Sequence, residues 1–272
     1  MEIFHYDFML RALGGGLLVG IICPVVGLFI TLRRMSMIAD ALSHVCLSGV
    51  AAGLLLGTQP VLAAAAFALG GSLLIEGLRE KYRHYAELSI AIILSAGVAL
   101  AAILISLGNG LGGGFMSYLF GSLVLITVED VWVMAAIGIP LLLLTLLFIK
   151  ELFCITFDEV SARVSGLPVK LINTGFTVLT ALTIAVAMRI VGILLVSSLM
   201  ILPVAVAMQL ARSFKGTLLV AVATGEMAVL AGLLLSFYLD LPPGGTIVMA
   251  LVLALVMVLV VAPRRYTARA GA

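Results

Sequence analysis

The chain has 272 residues, of which 64% are hydrophobic and only 10% charged, with 28 glycines besides. So few charges cannot coat a water-soluble body of this size, which excludes an ordinary soluble domain. The formal net charge of +2 includes no basic cluster able to follow a phosphate backbone, so no nucleic-acid partner is expected.

At roughly 20 residues per crossing, this composition predicts one all-α polytopic membrane domain over residues 1–272, with eight or nine transmembrane helices. Apolar stretches run over 8–32, 36–57, 60–77, 88–107, 130–149, 171–188, 191–211, 217–239 and 244–262. The first six residues carry no positive region and no small-residue cleavage site follows, so the first stretch reads as a retained span rather than a cleaved signal. Between the fourth and fifth, the glycine-rich GNGLGGG and the apolar 115–126 are too short to cross, which predicts a re-entrant or interfacial helix. Within 171–211 only Arg189 and Gly192 mark a turn, leaving open two full spans, a broken helix or a re-entrant hairpin.

Thirteen of the fifteen Lys and Arg residues, all but Arg11 and Arg189, fall in alternate loops. The positive-inside rule puts those loops in the cytoplasm, with the N-terminus outside and the C-terminus inside. Arg189 is expected to snorkel from a span end, and Glu76 to be solvated at a cytoplasmic end. His5 and His84, each beside a tyrosine, are expected at the membrane interface. Cys23, Cys46 and Cys154 form no CxxC or Cys/His cluster and read as small packing residues.

A carboxylate within hydrocarbon is costly unless it faces partners or water, so polar groups inside spans stand out. Asp40 and His44 are four residues apart, about 40° around a helix and one turn along it. One face presents both. They can bind a divalent cation together, completed by a second copy across a twofold axis into an N2O2 set suited to Zn2+, or with further oxygens to Mn2+. The alternative is an Asp–His hydrogen bond that settles a polar helix end. Ser43 beside His44 has no GxSxG elbow or second base, which weighs against hydrolysis. Glu226 lies deep in an apolar span, as a proton or cation group on the path or as a partner in an interhelical hydrogen bond.

The longest polar connection, 150–170, predicts a short surface helix with Phe157, Asp158 and Glu159 at its start, Ala162 within, and Gly166 and Pro168 stopping it. It is either an amphipathic loop or a surface on which a cytoplasmic partner pushes.

The stretches RRMSMIADALSH, YLFGS, TFDEVSARVSGLPV, ALTIAVAMRIVGILLVSSLMILPVAVAMQLARS and SFYLDLPPGGTIV resemble, in order along nearly the whole chain, the membrane subunit of bacterial ABC importers for zinc and manganese. The resemblance implies a type II ABC importer-like fold in the bacterial cytoplasmic membrane. It implies a homodimer working with two cytoplasmic ATPase subunits and an extracellular metal-binding lipoprotein. On it, Asp40 and His44 match metal-path residues, and the segment from Phe157 to Pro168 matches the ATPase-coupling loop. The sequence contains no GxxxxGK[ST] phosphate loop, so the chain is not expected to be an enzyme, and ATP is expected on the partner. No permanently bound cofactor is expected. The details ALTIAVAMRIVG and TFDEVSARVSGLP look nearer to zinc permeases, making Zn2+ the expected cargo, with Mn2+ or Fe2+ as the alternative. A self-contained proton-coupled transporter using Glu226 is the rival of another class.

Overall fold

Long runs of Leu, Ala, Val and Ile can satisfy their backbone groups in hydrocarbon only by closing them into helices. The computed structural model describes residues 6–82, 85–108, 112–122 and 124–261, and its elements are all helical. They are α1 (Asp7–Leu32), α2 (Met37–Leu55), α3 (Pro60–Lys81), α4 (Ala86–Leu107), α5 (Gly112–Phe120), α6 (Val128–Leu147), α7 (Ile149–Phe157), α8 (Glu159–Val164), α9 (Val169–Val191), α10 (Ile193–Leu210), α11 (Phe214–Leu239) and α12 (Pro243–Val261). Among the described residues, nine of these are long and apolar enough to cross a membrane, and α5, α7 and α8 are not. His5, Arg83, His84, Arg264, Arg265, Arg269 and part of GNGLGGG lie outside the described residues.

Helix α2 is the most enclosed span, held between α3 and α4 and also packed on α9 and α10. Small residues allow this. A Cβ on Gly49 would stand 2.6 Å from the Ala64 Cα of α3, and one on Gly97 of α4 would stand 3.0 Å from the Val45 backbone nitrogen. Without a water-driven hydrophobic term between helices, such close backbone approach is a main source of attraction. The Ser48 hydroxyl adds a hydrogen bond to the Gly97 carbonyl at 2.7 Å. On the other side, α1 packs on α10 and α11.

The short helix α5 packs against α9 and α10, as expected of a segment too short to span, and Gly121 ends it at φ +78°. The 171–211 region is two full-length spans, α9 and α10, joined by Gly192 at φ +85°, and not a broken helix. A Cβ at Gly192 would lie 2.4 Å from the Leu119 carbonyl oxygen, so only glycine fits this corner. Helix α6 starts earlier than its hydropathy predicts because Thr127 and Asp130 form a reciprocal capping box.

Two expectations about charged side chains are overturned. Arg189 does not snorkel: half-buried, it forms an ion pair with the buried Asp130 of α6 and lies 4.9 Å above the Tyr118 ring. Glu76 is buried rather than solvated, paired with Arg79 one turn later at 2.9 Å. A charge at a span end with a partner in reach gains more from pairing there than from stretching to water. Cys23 and Cys46 are buried free thiols, as expected of packing residues.

Candidate functional site

In 38–53 every residue of α2 is buried except Asp40 and His44. The i,i+4 spacing therefore makes one polar opening on an otherwise closed apolar helix. Asp40 Oδ1 accepts a hydrogen bond from the Ser197 hydroxyl of α10 at 3.3 Å. His44 Nδ1 is buried and has no hydrogen-bond partner, so the fold leaves one imidazole nitrogen unused. Among the described residues no group of three His, Cys, Asp or Glu gathers, so one copy offers a cation only part of a coordination shell. The neighbouring Ser43 donates its proton to the Ala39 carbonyl at 2.8 Å within its own helix, which leaves it tied up as a nucleophile.

Glu226 sits elsewhere. Its carboxylate presses on Gly20 of α1, where a Cβ would stand 2.6 Å from Oε1, and Oε1 is buried without a partner. It makes no interhelical hydrogen bond through that oxygen, and it faces α1 while Asp40 faces α10.

The 150–170 connection folds as two short helices rather than one. Helix α7 was not foreseen because IKELFCITF reads as the end of the apolar run that forms α6. Helix α8 is the expected one: the Asp158 side chain caps it by accepting the Ser161 N–H at 2.9 Å, and those Ser161 bonds hold its carboxyl below the usual carboxylate range. Ala162 anchors α8 inward with Ile155 and Val169. Outward, Phe157, Val160 and Val164 are exposed, the two valines at 74% and 84%. Glu159 pairs with Arg163 on the surface at 3.0 Å, Gly166 turns the chain at φ +83°, and Pro168 precedes α9.

Among the described residues, cross-links bring three of the basic connections together, those around Arg33, Glu80 and Lys170. Lys170 pairs with Glu80 at 2.7 Å, and Arg33 reaches Thr156 at 3.0 Å and Asn173 at 2.9 Å. Burial, reinforced by Arg79, lowers the Arg33 guanidinium to about 10, which leaves it charged at neutral pH. Sequence reasoning passed over Ser197, because a serine in an apolar span reads as a packing residue, and over the partners of Arg33.

A probable metal transport system membrane protein of Treponema pallidum is 36% identical to this chain over 258 residues, covering 95% of this chain and 96% of that protein. The manganese transport system membrane protein MntC of Halalkalibacterium halodurans is 33% identical over 248 residues, covering 91% and 85%. The solved structure of PsaBC from Streptococcus pneumoniae in complex with Fab superposes with a TM-score of 0.86 at 30% identity, covering 97% of this chain and 96% of that one. The profile of the ABC 3 transport family matches residues 5–262, and with these relatives it shows that the chain belongs to that family.

Proposed function

We propose that this chain is the membrane-spanning subunit of an ATP-driven importer for a divalent transition metal, in which Asp40 and His44 carry the ion across. The observation behind this reading is the polar opening on α2: two metal-ligating side chains one turn apart, one with a free buried nitrogen, on a helix otherwise closed. Because one copy supplies too few ligands, the working unit is a homodimer in which the two α2 openings face one path. The exposed apolar residues of α8 are where a cytoplasmic ATPase subunit pushes, and the opposite end receives an extracellular metal-binding protein. The gathered basic connections then lie in the cytoplasm of a bacterium, with the N-terminus outside and the C-terminus inside.

The sequence details favoured Zn2+, and the manganese-named relative shifts the reading to Mn2+, with Zn2+ second. The chemistry is compatible. Two carboxylates, two imidazoles and the Ser197 hydroxyls would offer Mn2+ more oxygen donors than nitrogen ones, with water completing the shell. Uptake into proteoliposomes holding the permease, its ATPase and its binding protein tests the function. Uptake should require ATP and be competed by Mn2+ more strongly than by Zn2+. Uptake driven by a proton gradient without ATP would overturn it in favour of a secondary transporter using Glu226.

A further inference from the structure

We propose that Arg33 is the positioning residue that links the ATPase-facing segment to α2, so that displacement of α7 and α8 reaches Asp40 and His44. The inference rests on the reading of α8 as the coupling segment. Arg33 caps α1 and opens the short turn into α2. That turn is tied as a block: the N–H groups of Arg33, Arg34 and Met35 are bound by the Phe29, Thr31 and Ile30 carbonyls, and Arg34 holds φ +57°. Asp40 follows within two helical turns, so movement of the block is movement of the metal-facing helix.

The guanidinium of Arg33 grips two other elements at once. Its Nε donates to Thr156 Oγ1 at 3.0 Å, next to the start of the coupling segment, and its Nη1 donates to Asn173 Oδ1 of α9 at 2.9 Å. Thr156 is oriented for this: its own proton goes to the Leu152 carbonyl at 2.6 Å, which leaves its lone pairs toward Arg33. Only a planar fork with fixed donors reaches both acceptors, and a lysine ammonium cannot.

A chain of aromatic rings runs beside the fork. Phe157 packs on Phe153 (4.6 Å between centroids), Phe153 on Phe214 (4.8 Å), Phe214 on Phe29 (5.6 Å) and Phe29 on Phe176 (6.0 Å). Arg33 closes the circuit 4.9 Å above the Phe176 ring. The exposed Phe157 of the coupling segment is thus joined to the end of α1 by packed rings on one side and by Arg33 on the other. Such a contiguous packed and hydrogen-bonded network can carry coupling, and its energy can be measured by a double-mutant cycle.

The test uses the assembled importer in proteoliposomes and reads ATPase co-purification, ATP hydrolysis and metal uptake on the same samples. Arg33→Met should keep the ATPase bound and hydrolysing while uptake per ATP falls roughly tenfold or more, in the usual range of coupling between sites. Arg33→Lys should not rescue it. Thr156→Val, isosteric without the acceptor, should lower uptake per ATP in the wild type and add little in the Arg33→Met background. Unchanged uptake per ATP in Arg33→Met, or additive losses in the pair, overturns the inference. If Arg33→Met fails to assemble, Thr156→Val decides, and its unchanged uptake per ATP overturns the inference equally. Gly166→Val tests the underlying reading separately: wild-type hydrolysis and uptake there would remove α8 as the coupling segment, whatever Arg33 does.

Discussion

Replacing Gly27 with alanine tests the contact that sets α10 against the metal-facing region. A Cβ at Gly27 would lie 1.9 Å from the Met200 carbonyl oxygen, 2.7 Å from its carbon and 3.0 Å from its Cα. A carbon approaches a carbonyl oxygen comfortably at about 3.3 Å, so α10 must retreat by about 1.4 Å at this point. The obstacle is helical backbone, which cannot rotate aside. Met200 is one turn beyond Ser197, so the displacement falls one turn from the 3.3 Å hydrogen bond to Asp40. Overpacking of this kind costs about 1–3 kcal/mol or more. At roughly 2–4 °C per kcal/mol for a chain of this size, the thermal midpoint should fall by about 2–12 °C. Gly14→Ala in the same helix is the control, because nothing lies within 4 Å of its added Cβ. It should be neutral, or gain up to about 1 kcal/mol of helix propensity. Thermal unfolding of the purified protein and ATP-driven uptake are read for both. A Gly27→Ala protein as stable as Gly14→Ala, with wild-type uptake, would refute the close α1–α10 approach.

Asp130→Asn leaves the half-buried Arg189 without its counter-ion and should lower stability by about 2 kcal/mol, whereas Arg189→Met added to Asp130→Asn, which keeps an acceptor for Thr127, should recover most of it, as read by thermal unfolding. Asp158→Ala should remove the α8 cap and weaken ATPase stimulation, while Asp158→Asn, also a good cap, should retain it. Because the folded carboxyl of Asp158 titrates below its unfolded value of about 3.9, its contribution is complete above that value and is lost only as pH falls through the lowered one. ATPase stimulation should therefore show no Asp158-dependent change between pH 6 and 8. Gly166→Val places a β-branched residue at φ +83° with nothing crowding its Cβ, so backbone strain of about 1–2 kcal/mol should reduce uptake without affecting membrane insertion, measured by uptake against surface expression.

The spans were legible because each is an unbroken apolar run, and Asp40 with His44 because a carboxylate and an imidazole at helical spacing are rare in hydrocarbon. Hydropathy could not separate α7 from α6, since the apolar character continues across Phe148. The misreading of Arg189 has a physical reason: its counter-ion Asp130 is 59 residues away, and a single sequence without its contacts offers water as the nearest partner. The same distance hid Arg33, whose acceptors are 123 and 140 residues along the chain. Ser197 was invisible for a third reason, because its role exists only through the α2–α10 contact.

Electron paramagnetic resonance of Mn2+ bound to the purified importer tests the central claim most directly, comparing the wild type with Asp40→Asn and His44→Ala at matched assembly. Asp40→Asn removes charge at constant size and His44→Ala removes the free nitrogen, so each should abolish the bound-Mn2+ signal that the wild type shows. A bound signal of wild-type intensity and line shape in both variants would contradict the account, and would leave Asp40 and His44 as a polar pair serving only the structure of α2.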